Sequence, residues 1–271
     1  MASDGDIVRA IESLDAPALV ASHFRSGTHL LIDLIRRNFP AFRPRMRPFE
    51  SIHATYLSLD RLDDTAHRAI GPSEALALLG KAPRSTLKTH ALPTFDRVAD
   101  HNRAVHTAII GRSVPLYAVR DGRDVMCSMH AWMRSFRPDA VVDFERFCFE
   151  PLSHSGRSRA QEWSHHVLTW LDHPGVHIVR FERIIHDTAA VIDELAEALN
   201  AEAKPREPAL PKPIKSVRAA WLARALGRAE STNVHSGAFT PLKRNEVFDG
   251  RVTDRFFTEA GEAMARLRYP H

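Results

Sequence analysis

Ala18-Leu19-Val20-Ala21-Ser22-His23-Phe24-Arg25-Ser26-Gly27-Thr28-His29-Leu30-Leu31-Ile32-Asp33-Leu34-Ile35 runs from an apolar segment through a polar turn into a second apolar segment. Residues 18–22 are short and continuously apolar up to Ser22, as suits a strand buried on both faces of a parallel sheet. Leu30, Leu31, Leu34 and Ile35 recur at helical spacing, so residues 27–38 are expected to form a helix. The turn between them opens a helix N-terminus. Its first backbone N–H groups lack intrahelical partners and the macrodipole is positive there, which favours an anion. The Ser26 and Thr28 hydroxyls and the Arg25 guanidinium add donors at the same end. Taken alone, the segment reads equally well as a strand-to-helix turn with a polar cap.

The anion loop is not a Walker loop, because Gly27 is its only glycine and Thr28-His29 follow it where Lys-Ser/Thr would be required. Nor does it carry the three glycines of a dinucleotide fold. A second strand-loop-helix stands at Pro115-Leu116-Tyr117-Ala118-Val119-Arg120-Asp121-Gly122-Arg123-Asp124-Val125-Met126-Cys127-Ser128. Arg120 closes the strand and Ser128 follows about two helical turns later, so both can reach one ligand at the helix start. Arginine suits phosphate because its planar fork donates two hydrogen bonds at once. By itself Arg-Asp-Gly-Arg-Asp reads as a solvated, salt-bridged turn, and pairing with the first loop is what turns it toward phosphate. Between the two lies Lys88-Thr89-His90-Ala91-Leu92-Pro93.

These three segments, in this order, resemble the sulfotransferases that use 3'-phosphoadenosine 5'-phosphosulfate (PAPS), especially their soluble cytosolic branch. The family's Pro-Lys-Ser-Gly-Thr-Thr-Trp is similar to Phe24-Arg25-Ser26-Gly27-Thr28-His29-Leu30, which implies a 5'-phosphosulfate site. Its Val-Arg-Asn-Pro-Arg-Asp-Val with a later serine resembles Val119 to Val125 with Ser128, implying that Arg120 and Ser128 bind the 3'-phosphate. Lys-Thr-His-Leu-Pro resembles Lys88 to Pro93. Glu162-Trp163-Ser164-His165-His166-Val167 with Trp170 resembles the family's Trp-x-x-His-Val-x-x-Trp helix. Val176 to Glu182 resembles a strand ending in Tyr-Glu-Asp and implies that Phe181 contacts adenine, while Lys215-Ser216-Val217 resembles a segment that also approaches adenine. A late loop of the family has a loose counterpart at His235-Ser236-Gly237-Ala238-Phe239, so Ser236 and Gly237 are further cofactor candidates. Three departures stand out: Arg25 replaces a lysine, Leu30 replaces the tryptophan that packs on adenine, and the late loop lacks its two cations.

The resemblance implies an α/β, P-loop-like three-layer fold, a central parallel sheet with helices on both faces, as one domain over residues 1–271. Strands are expected at 18–22, near 85–88, 114–119 and 176–180. Helices are expected at 27–38, 122–135, 159–172 and 188–199, with a Pro- and Arg-rich connection at 40–48 and short helices to Gly80. Such alternation means parallel strands. The tryptophans Trp132, Trp163, Trp170 and Trp221 stand in apolar helical patterns and are expected in the core.

The chemistry implied is sulfuryl transfer to a hydroxyl. A neutral imidazole accepts a proton well at neutral pH, which makes His90 the expected general base. Arg25, with the Gly27 and Thr28 amides, is expected to stabilise the leaving group, Lys88 to lie near the sulfonate, Ser26 to orient phosphate, and His29 to be a phosphate contact or a plain first-turn residue. The co-substrate is PAPS, the product 3'-phosphoadenosine 5'-phosphate (PAP), and no metal is required; adjacent His165 and His166 point to different helix faces. The acceptor is a small-molecule, lipid or glycan hydroxyl, with walls expected at 39–59, 95–106 and 136–158. A kinase, or a nucleotide-binding protein without turnover, is the alternative reading.

Composition is compatible with this. The chain has 271 residues, 44% of them hydrophobic, formal charge +4 and 16 histidines. That mild basicity suits anionic co-substrates and does not call for nucleic acid. Two cysteines, Cys127 and Cys148, make no disulfide framework. No run approaches the roughly 20 apolar residues of a membrane span, and acidic residues 4, 6, 12 and 15 stand where a secretory leader would begin, so a cytoplasmic protein is expected. A homodimer is left open.

Overall fold

The structure, a computed structural model, describes residues 3–45, 52–62, 69–94, 100–137, 143–204 and 242–271. Its centre is a parallel sheet of five strands, β1 (Ala18–Ser22), β2 (Leu57–Ser58), β3 (Thr86–Thr89), β4 (Val114–Val119) and β5 (His177–Arg180), in the order β2-β3-β1-β4-β5. β1 is the middle strand. Its side chains alternate between two cores: Leu19 and Ala21 face one, Ala18 and Val20 the other.

The Ala18/Val20 face is covered by α2 (Thr28–Asn38), α8 (Phe181–His186) and α9 (Thr188–Leu199), which contribute Leu31, Leu34, Ile184, Ile192 and Leu195. The opposite face packs α1 (Asp4–Ser13), α3 (Pro72–Leu79), α4 (Asp100–Arg112), α5 (Gly122–Phe136), α6 (Phe144–Phe149), α7 (Arg159–Leu171) and a C-terminal helix, Gly250–Arg266. Each aliphatic side chain so buried contributes roughly 1.5–3 kcal/mol. Gly122 opens α5 where an added Cβ would stand 2.8 Å from both the Trp163 and Phe256 rings, so its missing side chain lets α7 and the C-terminal helix close on the start of α5. The three layers are those expected.

The expected strands at 18–22 and 114–119 coincide with β1 and β4, while β3 ends one residue later than its expected span. Phe181 does not continue a strand. β5 stops at Arg180, and Phe181 begins α8. The short helices expected before Gly80 are accompanied by an unforeseen edge strand, β2, followed by a 3-10 turn at Leu59–Arg61. Trp132 departs from its expected place in the core: 37% of it is exposed, while Trp163 and Trp170 are fully buried. Phe39, Phe42 and Ile52, expected in a substrate wall, are buried under α2, and Phe147 and Phe149 are buried with α6. Cys127 and Cys148 are free buried thiols. Among the described residues, no helix is long and apolar enough to cross a membrane. Lys215, Ser216, Val217, Trp221, His235, Ser236 and Gly237 lie outside the described residues.

Candidate active site

Parallel strands deliver their carboxyl ends to one edge of the sheet, where open α/β proteins bind ligands at the point of strand-order reversal. The register aligns Ala21 with Thr89 and with Tyr117, Ser22 with Ala118, and Val119 with Arg180. The loops that follow these residues are therefore neighbours, and they contain the three segments singled out in the sequence.

The first loop, residues 23–27, reverses tightly before α2. Arg25 and Gly27 both have left-handed backbone, with φ of 68° and 99°. At Gly27 there is also no room: a Cβ would lie 2.6 Å from the Phe181 ring. Glycine is required there twice over, by φ and by the close approach. The Thr28 hydroxyl bonds that of Ser22, and the Ser26 hydroxyl is buried without a hydrogen-bond partner among the described residues.

Arg25 reaches across to the second loop. Its Nε donates to Ser128 Oγ at 3.2 Å on α5, and its guanidinium lies 5.9 Å from the centre of the Trp132 ring. Burial, and then the charge of Arg120, lower its pKa. Two guanidiniums placed to repel one another form a place for an anion. In the second loop the two arginines have separate fates. Arg123 is bound to Asp121 by two bonds, of 3.0 and 2.8 Å, and to the Pro270 carbonyl at 2.8 Å. Arg120 lies over the Phe181 ring at 4.5 Å, with its Nε buried and lacking a hydrogen-bond partner among the described residues. Arg25, Arg120, Ser128 and Phe181 are thus one cluster, with Ser26 and Gly27 at its edge.

On the other side of β1, β3 presents Lys88 and then His90. The His90 ring donates from Nδ1 to the Ser22 carbonyl at 2.7 Å. That bond fixes the proton on Nδ1 and leaves Nε2 as the basic nitrogen. Burial, and then the neighbouring Lys88 charge, lower the His90 pKa to about 3, against the opposing pull of Asp60 and the Ser22 carbonyl, so the ring is neutral at physiological pH. Phe24, more than half exposed, stacks at a tilt on this ring with centroids 4.2 Å apart.

A residue without any motif completes this half. Asp60, in the turn after β2, accepts from Lys88 Nζ at 2.8 Å, from the Thr89 hydroxyl at 3.1 Å and from the His90 N–H at 2.9 Å. Burial pushes its carboxyl up, but the Lys88 ammonium and the hydrogen bond from the His90 N–H outweigh this and hold it down at about 2. His29 is engaged elsewhere: its Nε2 meets the Tyr56 hydroxyl at 2.8 Å, and that hydroxyl also meets His53 Nδ1 at 2.7 Å. Burial, Lys88 and His53 lower the His29 pKa to about 3, so it has no charge to offer a phosphate.

Behind the His90 loop stands α7. His166 Nε2 donates to the His90 carbonyl at 3.0 Å, its Nδ1 accepts from the Tyr117 hydroxyl at 2.8 Å, and the Trp170 indole donates to the Ala91 carbonyl at 3.1 Å. This gives the His-Val-x-x-Trp spacing of the helix, His166 to Trp170, a concrete task.

Residues 15–222 match the family described as the sulfotransferase domain. Among curated proteins, none matches the chain. Similar solved structures include a mouse sulfotransferase in complex with PAP, 16% identical, covering 97% of this chain and 89% of that one with a TM-score of 0.55. Retinol dehydratase in complex with androsterone and PAP is 15% identical, over 93% of this chain and 81% of that one, with a TM-score of 0.52. The sulfotransferase domain from the curacin biosynthetic pathway is 14% identical, over 95% of this chain and 99% of that one, at 0.50. At these identities the structures speak for the fold, whereas the family match runs across most of the sequence and through all three loops: the chain belongs to the sulfotransferase family, the enzymes that draw a sulfuryl group from PAPS.

Proposed function

We propose that this protein transfers the sulfuryl group of PAPS to a hydroxyl of a small-molecule, lipid or glycan acceptor, with His90 as general base. The observation that carries the base assignment is the His90–Ser22 bond, which leaves Nε2 unprotonated in a ring held neutral. Donor binding is supported by the cluster of Arg25, Arg120 and Ser128, with Ser26 Oγ and Arg120 Nε, buried donors that have no partner among the described residues and suit an anion. PAPS fits such a place because it brings two separated phosphoryl groups and a sulfonate.

In the step itself the acceptor oxygen bonds to sulfur while the bond from sulfur to the bridging phosphate oxygen breaks, and the electron pair leaves with PAP. His90 Nε2 takes the acceptor proton. The helix-start amides at Gly27 and Thr28, with Arg25, stand where the leaving phosphate's charge is stabilised. The exposed Phe24 ring against His90 favours an acceptor with an apolar face next to its hydroxyl. Retinol and androsterone, the ligands of the retinol dehydratase complexes, are acceptor-like molecules of that type. The two buried free thiols suit a reducing, cytoplasmic setting.

The test is His90→Ala, assayed with an aliphatic alcohol and with a nitrophenol whose low pKa makes base assistance unnecessary. Alcohol turnover should fall by about 10²–10⁴, nitrophenol turnover far less, with PAP affinity by calorimetry nearly unchanged. Undiminished alcohol turnover in a variant that still binds PAP would remove His90 from the mechanism. Tighter binding of ATP than of PAP would remove PAPS as the donor.

A further inference from the structure

We propose that Asp60 is a positioning residue for the transfer: one carboxylate oxygen fixes the His90 backbone, the other holds Lys88, and its charge lets the imidazole accept a proton beside that lysine. This rests on the reading of His90 as base. Asp60 belongs to none of the three loops that mark the site in the sequence. It stands on the 3-10 turn Leu59–Arg61, brought in by the two-residue pairing of β2 with β3 that sets Ser58 opposite Lys88.

Its contacts divide cleanly. Oδ1 accepts from the His90 N–H at 2.9 Å and the Thr89 hydroxyl at 3.1 Å, whereas Oδ2 accepts from Lys88 Nζ at 2.8 Å. The ring of His90 is oriented by the Ser22 carbonyl and not by Asp60. What Asp60 supplies is therefore backbone placement and charge. Among the described residues, the titratable groups around the imidazole are Lys88 on β3, Asp60 on its turn, His23 in the first loop, His29 on α2 and His166 on α7. Of these, the histidines are kept neutral by burial, so Lys88 and Asp60 set the field. When His90 takes the acceptor proton, a new cation appears next to the Lys88 ammonium in a site where charges interact more strongly than in water. Asp60 offsets that repulsion. Without its charge the imidazolium forms beside an unbalanced lysine, and the base weakens.

The test compares rates for an aliphatic alcohol and a nitrophenol, with PAP affinity followed by calorimetry. In Asp60→Asn the alcohol-to-nitrophenol rate ratio should fall about tenfold or more, because only the alcohol needs the base. PAP affinity should stay within about twofold, since the donors at Arg25, Arg120 and Ser128 are untouched. In Asp60→Asn/Lys88→Met, where both charges of the pair are gone, the ratio should return to within about threefold of the parent even if both rates are slow. A purely structural Asp60 would lower both rates and leave the ratio alone, which overturns the proposal, as does a ratio that stays collapsed in the double variant. If Asp60→Asn does not fold, Asp60→Ser, smaller and still an acceptor, carries the same expectation; loss of PAP binding in both makes Asp60 a folding residue and overturns the proposal. His90→Ala separates the two levels. If it leaves the ratio intact, the base assignment itself fails; if it collapses the ratio and Asp60→Asn does not, only the role of Asp60 fails.

Discussion

Arg120 and Arg25 show how two guanidiniums come to share one place. Arg120 is held over Phe181, and that ring lies against Gly27, so the second loop, α8 and the first loop meet at one aromatic side chain. Arg25 enters from the first loop and bonds Ser128 of the second. The family resemblance implies a lysine point charge at this position, which would serve the sulfonate; the longer, planar arginine instead ties the two anion loops together. Arg120→Ala should weaken PAP by at least about tenfold, because a charge-assisted hydrogen bond contributes about 1.5–3 kcal/mol. Adenosine 5'-phosphosulfate, which lacks the 3'-phosphate, should hardly change. Equal losses for the two ligands in calorimetry would show that Arg120 does not read the 3'-phosphate. Residues of this kind were legible because a strand, a glycine turn and a helix start lie within ten positions of one another. Asp60 was not, since its partners Lys88 and His90 are about thirty residues away and nothing in Ser58-Leu59-Asp60-Arg61 distinguishes it from any solvated turn.

The elements that matter most to the site are those that brace it from behind. β4 sends Tyr117 into the interior, α7 lays His166 beside it, and the His90 carbonyl receives the other end of the same imidazole, so strand, helix and base loop are linked by two hydrogen bonds of 2.8 and 3.0 Å. Tyr117 and His166 are both buried, and each bond in the chain polarises the next. Tyr117→Phe keeps the ring and removes only the hydroxyl, leaving His166 Nδ1 without its donor. Urea unfolding should show a loss of about 1–3 kcal/mol, the cost of an unsatisfied buried acceptor. Turnover should fall with PAP binding preserved, because the loosened loop is that of His90 and not that of Arg120. A stability change within experimental error and unaltered turnover would mean that the brace is idle. At this scale the sequence reads well wherever periodicity is local, as in α2, α5, α7 and α9. β2 escapes because two residues have no period. The C-terminal helix has clear spacing at Val252, Phe256, Ala260 and Met264, yet only the assembled fold tells that this stripe packs on α7 and on Gly122.

Across the whole molecule, histidine burial ties stability to pH. His23, His106 and His166 are 8%, 2% and 7% exposed, and burial lowers all three pKa values, the first two to about 4. In the unfolded chain each would titrate near its ordinary value of about 6.5. Below that pH the unfolded state binds more protons than the folded one, so stability falls as the pH drops from about 6.5 toward the folded values, by up to about 1.4 kcal/mol per pH unit for each group. The carboxyls of Asp33 and Asp124, whose pKa values are raised by burial, act in the opposite sense. The urea midpoint should therefore be level from pH 8 to 7 and fall steeply between about pH 6 and 5. His90 sharpens the test. Because its ring is held neutral far below pH 6.5, alcohol turnover on the acid side should follow the population of folded protein and not an imidazole titration near 6.5. Unfolding midpoints that hold steady to pH 5, together with turnover that titrates near 6.5, would show that these imidazoles are open to water and that the base works with an ordinary pKa.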